Sequence, residues 1–114
     1  MSLSKYLEQV KNDSDNLDFS DLMSVIDENY DFTPTQFTNG GTVNEAGQND
    51  GSCKLFSFAK LHQLTEQQTL ACFGTYYRID VLQHPENDDH QNIRNFIISG
   101  WSGIQFESSA LSEK

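Results

Sequence analysis

Cys53 is the side chain of this sequence best placed to act as a nucleophile. It follows a polar loop with two glycines and precedes an apolar segment with helical spacing. Ser52 is a good helix N-cap, which would place Cys53 at the first helical position. The helix dipole and the unpaired N–H groups at that position favour a thiolate. The sequence therefore predicts either a reactive Cys53 or a small cysteine packed in the core.

A cysteine nucleophile also needs a base, and His90 is the best candidate. His62 lies nine residues beyond Cys53 on the same predicted helix. At the helical rise this is about 13 Å, which is too far for proton transfer. His90 belongs to a different element and has Asn92, Asn95 or Asp89 nearby in the sequence as an orienting residue. Cys53 with His90 would make a small cysteine-dependent hydrolase or transferase.

The histidines and acidic residues do not form a recognisable metal site. His84 and His90 are six residues apart across a proline, and this matches no zinc spacing. Asp13 and Asp15 begin like a calcium loop, but Leu17 occupies a position that would need a ligand. We therefore predict no metal site and no cofactor.

A second set of polar residues is suited to line a binding pocket. The loop before Cys53, the fourth predicted helix and the segment after His90 each supply amide, aromatic or charged side chains. These candidates are Asn44, Glu45, Gln48, Asn49, Tyr76, Arg78, Asn92 and Arg94. The alternatives are core packing for the tyrosine and, for each arginine, an ion pair with one of the surplus acids.

The charge of the chain argues against nucleic acid as a partner. The sequence has 17 acidic and 7 basic residues, a net charge of −10, and contacts to a phosphate backbone need Lys or Arg. Residues 1–31 hold eight acids and two bases. This acidic N-terminal face is either solvated or a docking surface for a basic protein partner.

The sequence predicts no membrane span, because no apolar run approaches the length of about 18 residues that a span needs. It also predicts no signal peptide, because the N-terminus lacks a basic region followed by an apolar segment. The two cysteines, Cys53 and Cys72, have apolar neighbours and no Cys-x-x-Cys spacing. Two thiols are too few for a disulfide scaffold. We expect both to be reduced, in a cytosol-like compartment. No pattern in the sequence indicates an oligomeric state.

Five predicted helices position these side chains. The first is amphipathic and ends near Asn12, and the second ends near Asn29. The fourth starts with a capping box between Thr65 and Gln68. The predicted N-caps, in chain order, are Ser2 or Ser4, Ser20, Ser52, Thr65, and Asp88 or Asp89.

The last two helices have recognisable ends. The fourth is expected to continue past Gly74 and stop before Pro85. The fifth is expected to end at Gly100. Its predicted inward-facing residues are Ile93, Phe96 and Ile97.

Two segments favour extended backbone. Residues 32–38 are rich in Phe and Thr, Asn39 to Gly41 form a turn signal, and Thr42-Val43 can return as the second strand of a hairpin. Residues 101–107 alternate large and polar side chains and could pair with that hairpin. The pattern predicts an α+β fold, a mainly helical single domain of about five helices with a small antiparallel sheet of about three short strands.

Several long stretches of the chain carry a family resemblance, namely Asp27–Pro34, Asn44–Asn49 with Gly51–Lys54, Leu70–Gly74 with Tyr76–Arg78, and Asp89–Phe96 with Gly100–Trp101. These stretches resemble the HopJ family, which is catalogued as type III effector proteins. Together they cover about residues 20–107. On this resemblance residues 1–114 form a single HopJ-like domain. The residue pattern places an N-terminal helix and acidic turn in residues 1–19 and a frayed tail in residues 108–114.

The resemblance implies a location rather than an activity. It implies a protein of the bacterial cytoplasm, with delivery to a host cell by type III secretion in some members. It brings no catalytic residue with it. We therefore expect a non-catalytic protein-interaction module, with the hydrolase or transferase that uses Cys53 and His90 as the alternative.

Overall fold

Helices dominate the structure, and two small antiparallel sheets accompany them. A computed structural model describes residues 2–114 and confirms the predicted class, a mainly helical α+β domain. The α-helices are α1 (Leu3–Asn12), α2 (Phe19–Asn29), α3 (Asp50–Leu61), α4 (Glu66–Ala71) and α5 (Gln91–Ser99). A π-helical segment spans Tyr76–Val81, and 3-10 turns span Ser14–Asn16 and Gly100–Gly103.

The predicted hairpin and its third strand are confirmed. Gly40 and Gly41 both have positive φ, which the tight turn between β2 (Phe37–Asn39) and β3 (Thr42–Asn44) requires. The last strand of this sheet pairs with β2, so that Phe37 lies opposite Phe106. The strands are β1 (Tyr30–Phe32), β2 (Phe37–Asn39), β3 (Thr42–Asn44), β4 (Ile104–Phe106) and β5 (Leu111–Glu113), and the sheet order is β3-β2-β4.

The end of the chain is not frayed, contrary to the prediction for residues 108–114. Strand β5 pairs antiparallel with β1 in a second sheet, with Leu111 opposite Phe32. Ala110 and Leu111 are 3% and 6% exposed, so burial of apolar surface holds this segment in place. The domain therefore includes the C-terminal residues that the sequence pattern assigned to a tail.

Helix α3 supplies the centre of the core. Phe56 is fully buried, and its ring lies 5.0 Å from Phe96, 5.5 Å from Phe73 and 6.1 Å from Phe37, measured between ring centroids. Such edge and tilted contacts add to the energy of burying each ring. One aromatic side chain thus joins α3 to α5, to the sheet and to the segment after α4.

Two predicted helix starts are displaced. Helix α2 begins at Phe19, one residue before the proposed cap Ser20, and α3 begins at Asp50 with Asn49 as its N-cap instead of Ser52. The capping boundary of α1 at Ser2 and the capping box of α4 at Thr65 are confirmed. Because α3 begins at Asp50, Cys53 is its fourth residue. The prediction that Cys53 is the first helical residue, where the helix dipole most favours a thiolate, was therefore wrong.

The predicted fourth helix is interrupted. Helix α4 ends at Ala71, and Gly74 has φ +64, which breaks the helix before the π-helical segment begins. A Cβ at this glycine would lie 3.0 Å from both Leu17 O and Phe19 N. Position 74 therefore requires glycine, because its backbone is left-handed and because the segment before α2 leaves no room for a Cβ.

The N-cap of helix α5 and one of its core-facing residues differ from the prediction. Its N-cap is His90, with φ +50, and neither Asp88 nor Asp89 caps it. It ends at Gly100 as predicted. Ile93 and Phe96 are buried, but Ile97 is 47% exposed and does not face the core.

Candidate functional site

A cleft of about 410 Å³ opens where the β3–α3 loop, the start of α5 and the π-helical segment meet. Five of the residues predicted from the sequence to bind or react lie in its wall, namely Asn44, Asn49, Tyr76, His90 and Asn92. The structure adds Phe19, Thr42, Gly51, Ser52, Phe73, Gln91 and Ile93 to this lining. The cleft is therefore our candidate functional site.

Two helices start at the cleft. Asn49 is the N-cap of α3 and His90 is the N-cap of α5, and both residues adopt the left-handed conformation with φ of +52 and +50. No side chain caps either helix. In α5 the Ile93 N–H donates to His90 O at 3.0 Å. The N–H groups before it, and those at the start of α3, are left for solvent or for a ligand, and both helix dipoles direct positive potential towards the cleft.

Interlocked carboxamides form one wall of the cleft. Asn44 Nδ2 donates to Asn92 Oδ1 at 3.3 Å, and Asn92 Nδ2 donates to Asn44 Oδ1 at 3.1 Å, a reciprocal amide pair. Asn49 Nδ2 adds a bond of 2.7 Å to Asn44 Oδ1. Asn44 and Asn92 are 2% and 9% exposed. Because each carboxamide fixes the next, their free edges are held in one orientation.

Asn39 extends the same network into the protein interior. Its Nδ2 donates to Asn92 O at 2.8 Å and to Asn92 Oδ1 at 3.0 Å. Asn95 Nδ2 in turn donates to Asn39 O at 3.2 Å. These bonds join strand β2 to helix α5, so the carboxamides at the cleft are braced by the sheet behind them.

Aromatic rings form the opposite wall. Phe19 stacks on Phe73 with ring centroids 6.0 Å apart, and Tyr76 packs edge-on against Phe19 at 5.5 Å. Tyr76 is 43% exposed and its ring lies 5.2 Å from that of His90. This wall offers an apolar surface opposite the polar one, which is the usual combination in a ligand site.

His90 is held by an acidic partner. Its Nε2 lies 3.0 Å from Asp80 Oδ2, and both side chains are partly exposed. A neutral His90 that donates from Nε2 to this carboxylate presents Nδ1 as an acceptor. The pair fixes the imidazole at the rim of the cleft, where it can exchange hydrogen bonds with a ligand.

Cys53 does not line the cleft. Its side chain is 1% exposed, and Sγ donates to Thr35 O at 3.5 Å. Burial raises the pKa of the Cys53 thiol above its ordinary value. The structure joins His90 to Asp80 and Cys53 to Thr35, and no hydrogen bond connects Cys53 with His90 in residues 2–114.

The other predicted binding residues lie outside the cleft lining. Gln48 Oε1 accepts from Glu45 N at 3.2 Å and closes an exposed turn. Arg78 donates to Leu17 O at 3.0 Å and so ties the π-helical segment to the start of α2. Arg94 Nε donates to Asp89 O, and Arg94 Nη2 donates to Asp89 Oδ1, both at 2.6 Å.

Several cleft residues carry no local signal in the sequence. Phe19 and Phe73 look like ordinary core positions, and only the fold brings them to one wall. Gly51 reveals its role through geometry, since a Cβ there would lie 2.8 Å from Phe19 Cζ. The unusual density of asparagine at positions 39, 44, 49, 92 and 95 is the signal that could have indicated the network.

The part of the chain that the structure describes contains no cluster of three or more His, Cys, Asp or Glu residues that could hold a metal ion. Within residues 2–114 no helix combines the length and the apolar character that a membrane crossing requires. The lining of the cleft offers carboxamides, aromatic rings, one histidine, the hydroxyls of Thr42 and Ser52, and backbone N–H groups.

The fold and the cleft define a small α+β domain with a polar site between two helix starts. This chain belongs to the HopJ type III effector protein family, whose model matches residues 3–111. The match is longer at both ends than the resemblance at residues 20–107. Type III effectors are secreted by bacteria into host cells, so the family indicates such secretion.

The chain is also similar to a protein of unknown function, VPA0580, that has a crystal structure. The two are 55% identical in sequence, and the match covers 100% of this chain and 95% of that one. The TM-score is 0.98, so the folds agree closely. No curated protein matches the sequence.

Proposed function

We propose that this HopJ protein is a non-catalytic binding module that holds a protein partner in the cleft. The observation that carries the proposal is the reciprocal amide pair of Asn44 and Asn92, which is almost fully buried and faces two uncapped helix starts. A rigid polar wall of this kind lowers the ordering cost of binding. Membership of an effector family is consistent with a protein that acts on a host partner.

The cleft favours groups that accept hydrogen bonds. The first-turn N–H groups of α3 and α5 are donors, and the positive ends of both helices attract negative charge. A backbone carbonyl or a carboxylate of the partner satisfies these donors. The apolar part of the same residue can lie against Tyr76, which is 43% exposed.

The acidic N-terminal face is proposed as a second contact with the partner. Seven of the eight acids in residues 8–31 are exposed. Among residues 2–114 the ion pair that involves this segment joins Asp27 to Lys54 at 3.2 Å. The remaining exposed carboxylates can attract a basic partner and speed its association, an effect that salt weakens.

The alternative function, a hydrolase or transferase that uses Cys53 with His90, makes a different prediction. Burial and the raised pKa of the Cys53 thiol oppose thiolate formation. Native protein treated with iodoacetamide at neutral pH should therefore leave Cys53 unmodified, while denatured protein reacts fully. Rapid alkylation of Cys53 in the native protein would favour the enzyme.

An NMR titration tests the cleft itself. N-acetylglycine offers carbonyl and carboxylate acceptors, and ethylammonium offers only donors. We expect N-acetylglycine to shift the amide signals of Gly51, Ser52, Gln91 and Asn92, with an affinity in the millimolar range, on the order of 4 kcal/mol, as suits so small a probe. Ethylammonium should leave these signals unchanged.

The matched variant is Asn49→Gly, which keeps the left-handed N-cap because glycine accepts positive φ. It removes the carboxamide that braces Asn44, so it should weaken the N-acetylglycine response without unfolding α3. The proposal fails if the cleft amides do not respond to N-acetylglycine, or if both probes shift them equally.

A further inference from the structure

A second cavity lies on the far side of the first turn of α5. It is an apolar groove of about 470 Å³ between the end of the π-helical segment and the outer face of the helix. Its apolar lining consists of Val81, Leu82, Pro85, Ile97 and Ile98. Gln91 lines both the cleft and this groove, so the two sites are neighbours.

The groove exposes apolar side chains that the core does not use. Ile98 is 83% exposed, Leu82 is 53% exposed and Ile97 is 47% exposed, whereas Ile93 and Phe96 on the inner face of α5 are buried. Single exposed apolar residues are common on protein surfaces, but a contiguous set of large ones beside a cavity is typical of an interaction site.

A loop with exposed acidic residues borders the groove. Glu86 and Asp88 are exposed and directly follow Pro85, which lines the groove. The nearest base, Arg94, is only 12% exposed at its side chain and is engaged by Asp89. The apolar floor is thus bordered by a loop with exposed carboxylates, and Arg94, the basic residue in its lining, is already paired with Asp89.

We propose that this groove binds an amphipathic helix of a partner protein, with apolar residues on one face and Lys or Arg on its flanks. Apolar residues at spacings of three and four would cover Leu82, Ile97 and Ile98, as in other helix-in-groove complexes. The basic flanks would meet the carboxylates of the bordering loop, so the charges are complementary. This commits the site to a basic helical segment and not to a second copy of the chain.

Charge also opposes self-association through this face. Each copy carries a net charge of −10, and a symmetric dimer would place the groove carboxylates of one copy against those of the other. Like charges brought together in this way repel. The inference does not rest on the function proposed for the cleft, because its key side chain, Ile98, does not line the cleft.

The test uses a fluorescent synthetic peptide of about 14 residues with Leu at i, i+3, i+4 and i+7 and Lys elsewhere. One control peptide has the same composition in an order that destroys the apolar face, and a second has Glu in place of Lys. Fluorescence anisotropy measures binding to the full chain. The first peptide should bind, and both controls should bind at least about fivefold more weakly.

Ile98→Ser removes the most exposed apolar side chain of the groove, and Val43→Ser is its matched control, since Val43 is 50% exposed and lies outside the groove. Ile98→Ser should weaken binding of the first peptide at least about fivefold, and Val43→Ser should leave it unchanged. Circular dichroism checks that both variants are folded.

Three results would overturn the inference. The first is equal binding of the peptide with the rearranged order, which would mean attraction to acidic surface without use of the groove. The second is equal affinity of the wild-type protein and Ile98→Ser. The third is a dimer in sedimentation velocity that Ile98→Ser converts to a monomer, because the groove would then be covered by a second copy.

Discussion

Asn92→Ala tests whether the carboxamide network holds the cleft together. The Asn92 side chain accepts from Asn39 Nδ2 at 3.0 Å and from Asn44 Nδ2 at 3.3 Å, and it donates to Asn44 Oδ1 at 3.1 Å. The substitution removes all three bonds at a residue that is 9% exposed. Asn39 Nδ2 keeps its bond to the backbone oxygen of residue 92, so Asn44 suffers the larger loss.

The expected loss of stability in Asn92→Ala follows from the hydrogen bonds that the Asn44 side chain keeps. Its Nδ2 keeps only a bond of 3.5 Å to Phe37 O, while its Oδ1 keeps the bond of 2.7 Å from Asn49. A buried donor with so weak a partner costs about 1–3 kcal/mol. Adding the lost bond from Asn39, we expect Asn92→Ala to lower the free energy of unfolding by about 2–3 kcal/mol.

Asn49→Gly is the internal comparison. It removes one bond to Asn44 Oδ1, which still accepts from Asn92, and Asn49 is itself exposed. Glycine keeps the left-handed N-cap, so the expected cost is below about 1 kcal/mol.

Urea denaturation followed by Trp101 fluorescence measures both changes, since Trp101 packs 5.2 Å from Phe96 in the core. If the unfolding free energy falls with urea concentration at the same slope in the wild type and both variants, their unfolding transitions expose similar surface and can be compared. The reasoning is refuted if Asn92→Ala is no more destabilising than Asn49→Gly, because the reciprocal amide pair would then contribute nothing beyond an exposed bond.

Two further predictions concern the frame around the site. Gly74→Ala should destabilise the protein by at least about 2 kcal/mol, because it combines positive φ with a Cβ placed against backbone atoms of Leu17 and Phe19; Gly41→Ala, also at positive φ but with nothing within 4 Å of the new Cβ, should cost clearly less in the same urea assay. Burial lowers the pKa of His62 in the folded state, so the unfolded chain binds a proton that the folded chain does not as the pH falls below about 6.5. Stability should therefore decrease from about pH 7.5 to about pH 5.5, and His62→Gln should flatten that dependence; an unchanged slope in the variant would assign it to another group.

The sequence predicted the elements that depend on only a few neighbouring residues. The capping box of α4 needs only Thr65 and Gln68, and the β2–β3 turn needs only Gly40 and Gly41. The alternation in residues 101–107 likewise predicted β4, which spans Ile104–Phe106. The first part of that prediction was wrong, because residues 100–103 form a 3-10 turn. Each of these features is determined mainly by residues within the element itself.

Elements that depend on distant contacts were missed. Strand β5 has three residues and exists because it pairs with β1, about 80 positions earlier along the extended chain. The break after α4 depends on the segment before α2, which approaches Gly74 too closely for any side chain. The periodicity of the sequence predicts neither of these two long-range contacts.

The cleft was predicted in part for the same reason. Asn44 and Asn49 were found through the polar loop, and Asn92 and His90 through the start of a helix, but the aromatic wall of Phe19 and Phe73 comes together only in the fold. The position assigned to Cys53 was wrong because the helix starts at Asp50, so the thiol points to Thr35 and not to the cleft.

Photo-crosslinking from the cleft tests the central claim most directly. A benzophenone-bearing phenylalanine replaces Tyr76, which lines the cleft, and in a control protein it replaces Leu61, which is 52% exposed and lies outside it. The proteins are irradiated in host-cell extract, with an excess of unlabelled wild-type chain as competitor. We predict a discrete protein adduct from position 76 that the competitor abolishes and that position 61 does not give. No adduct from position 76, or the same adducts from both positions, would contradict a binding module that uses this cleft.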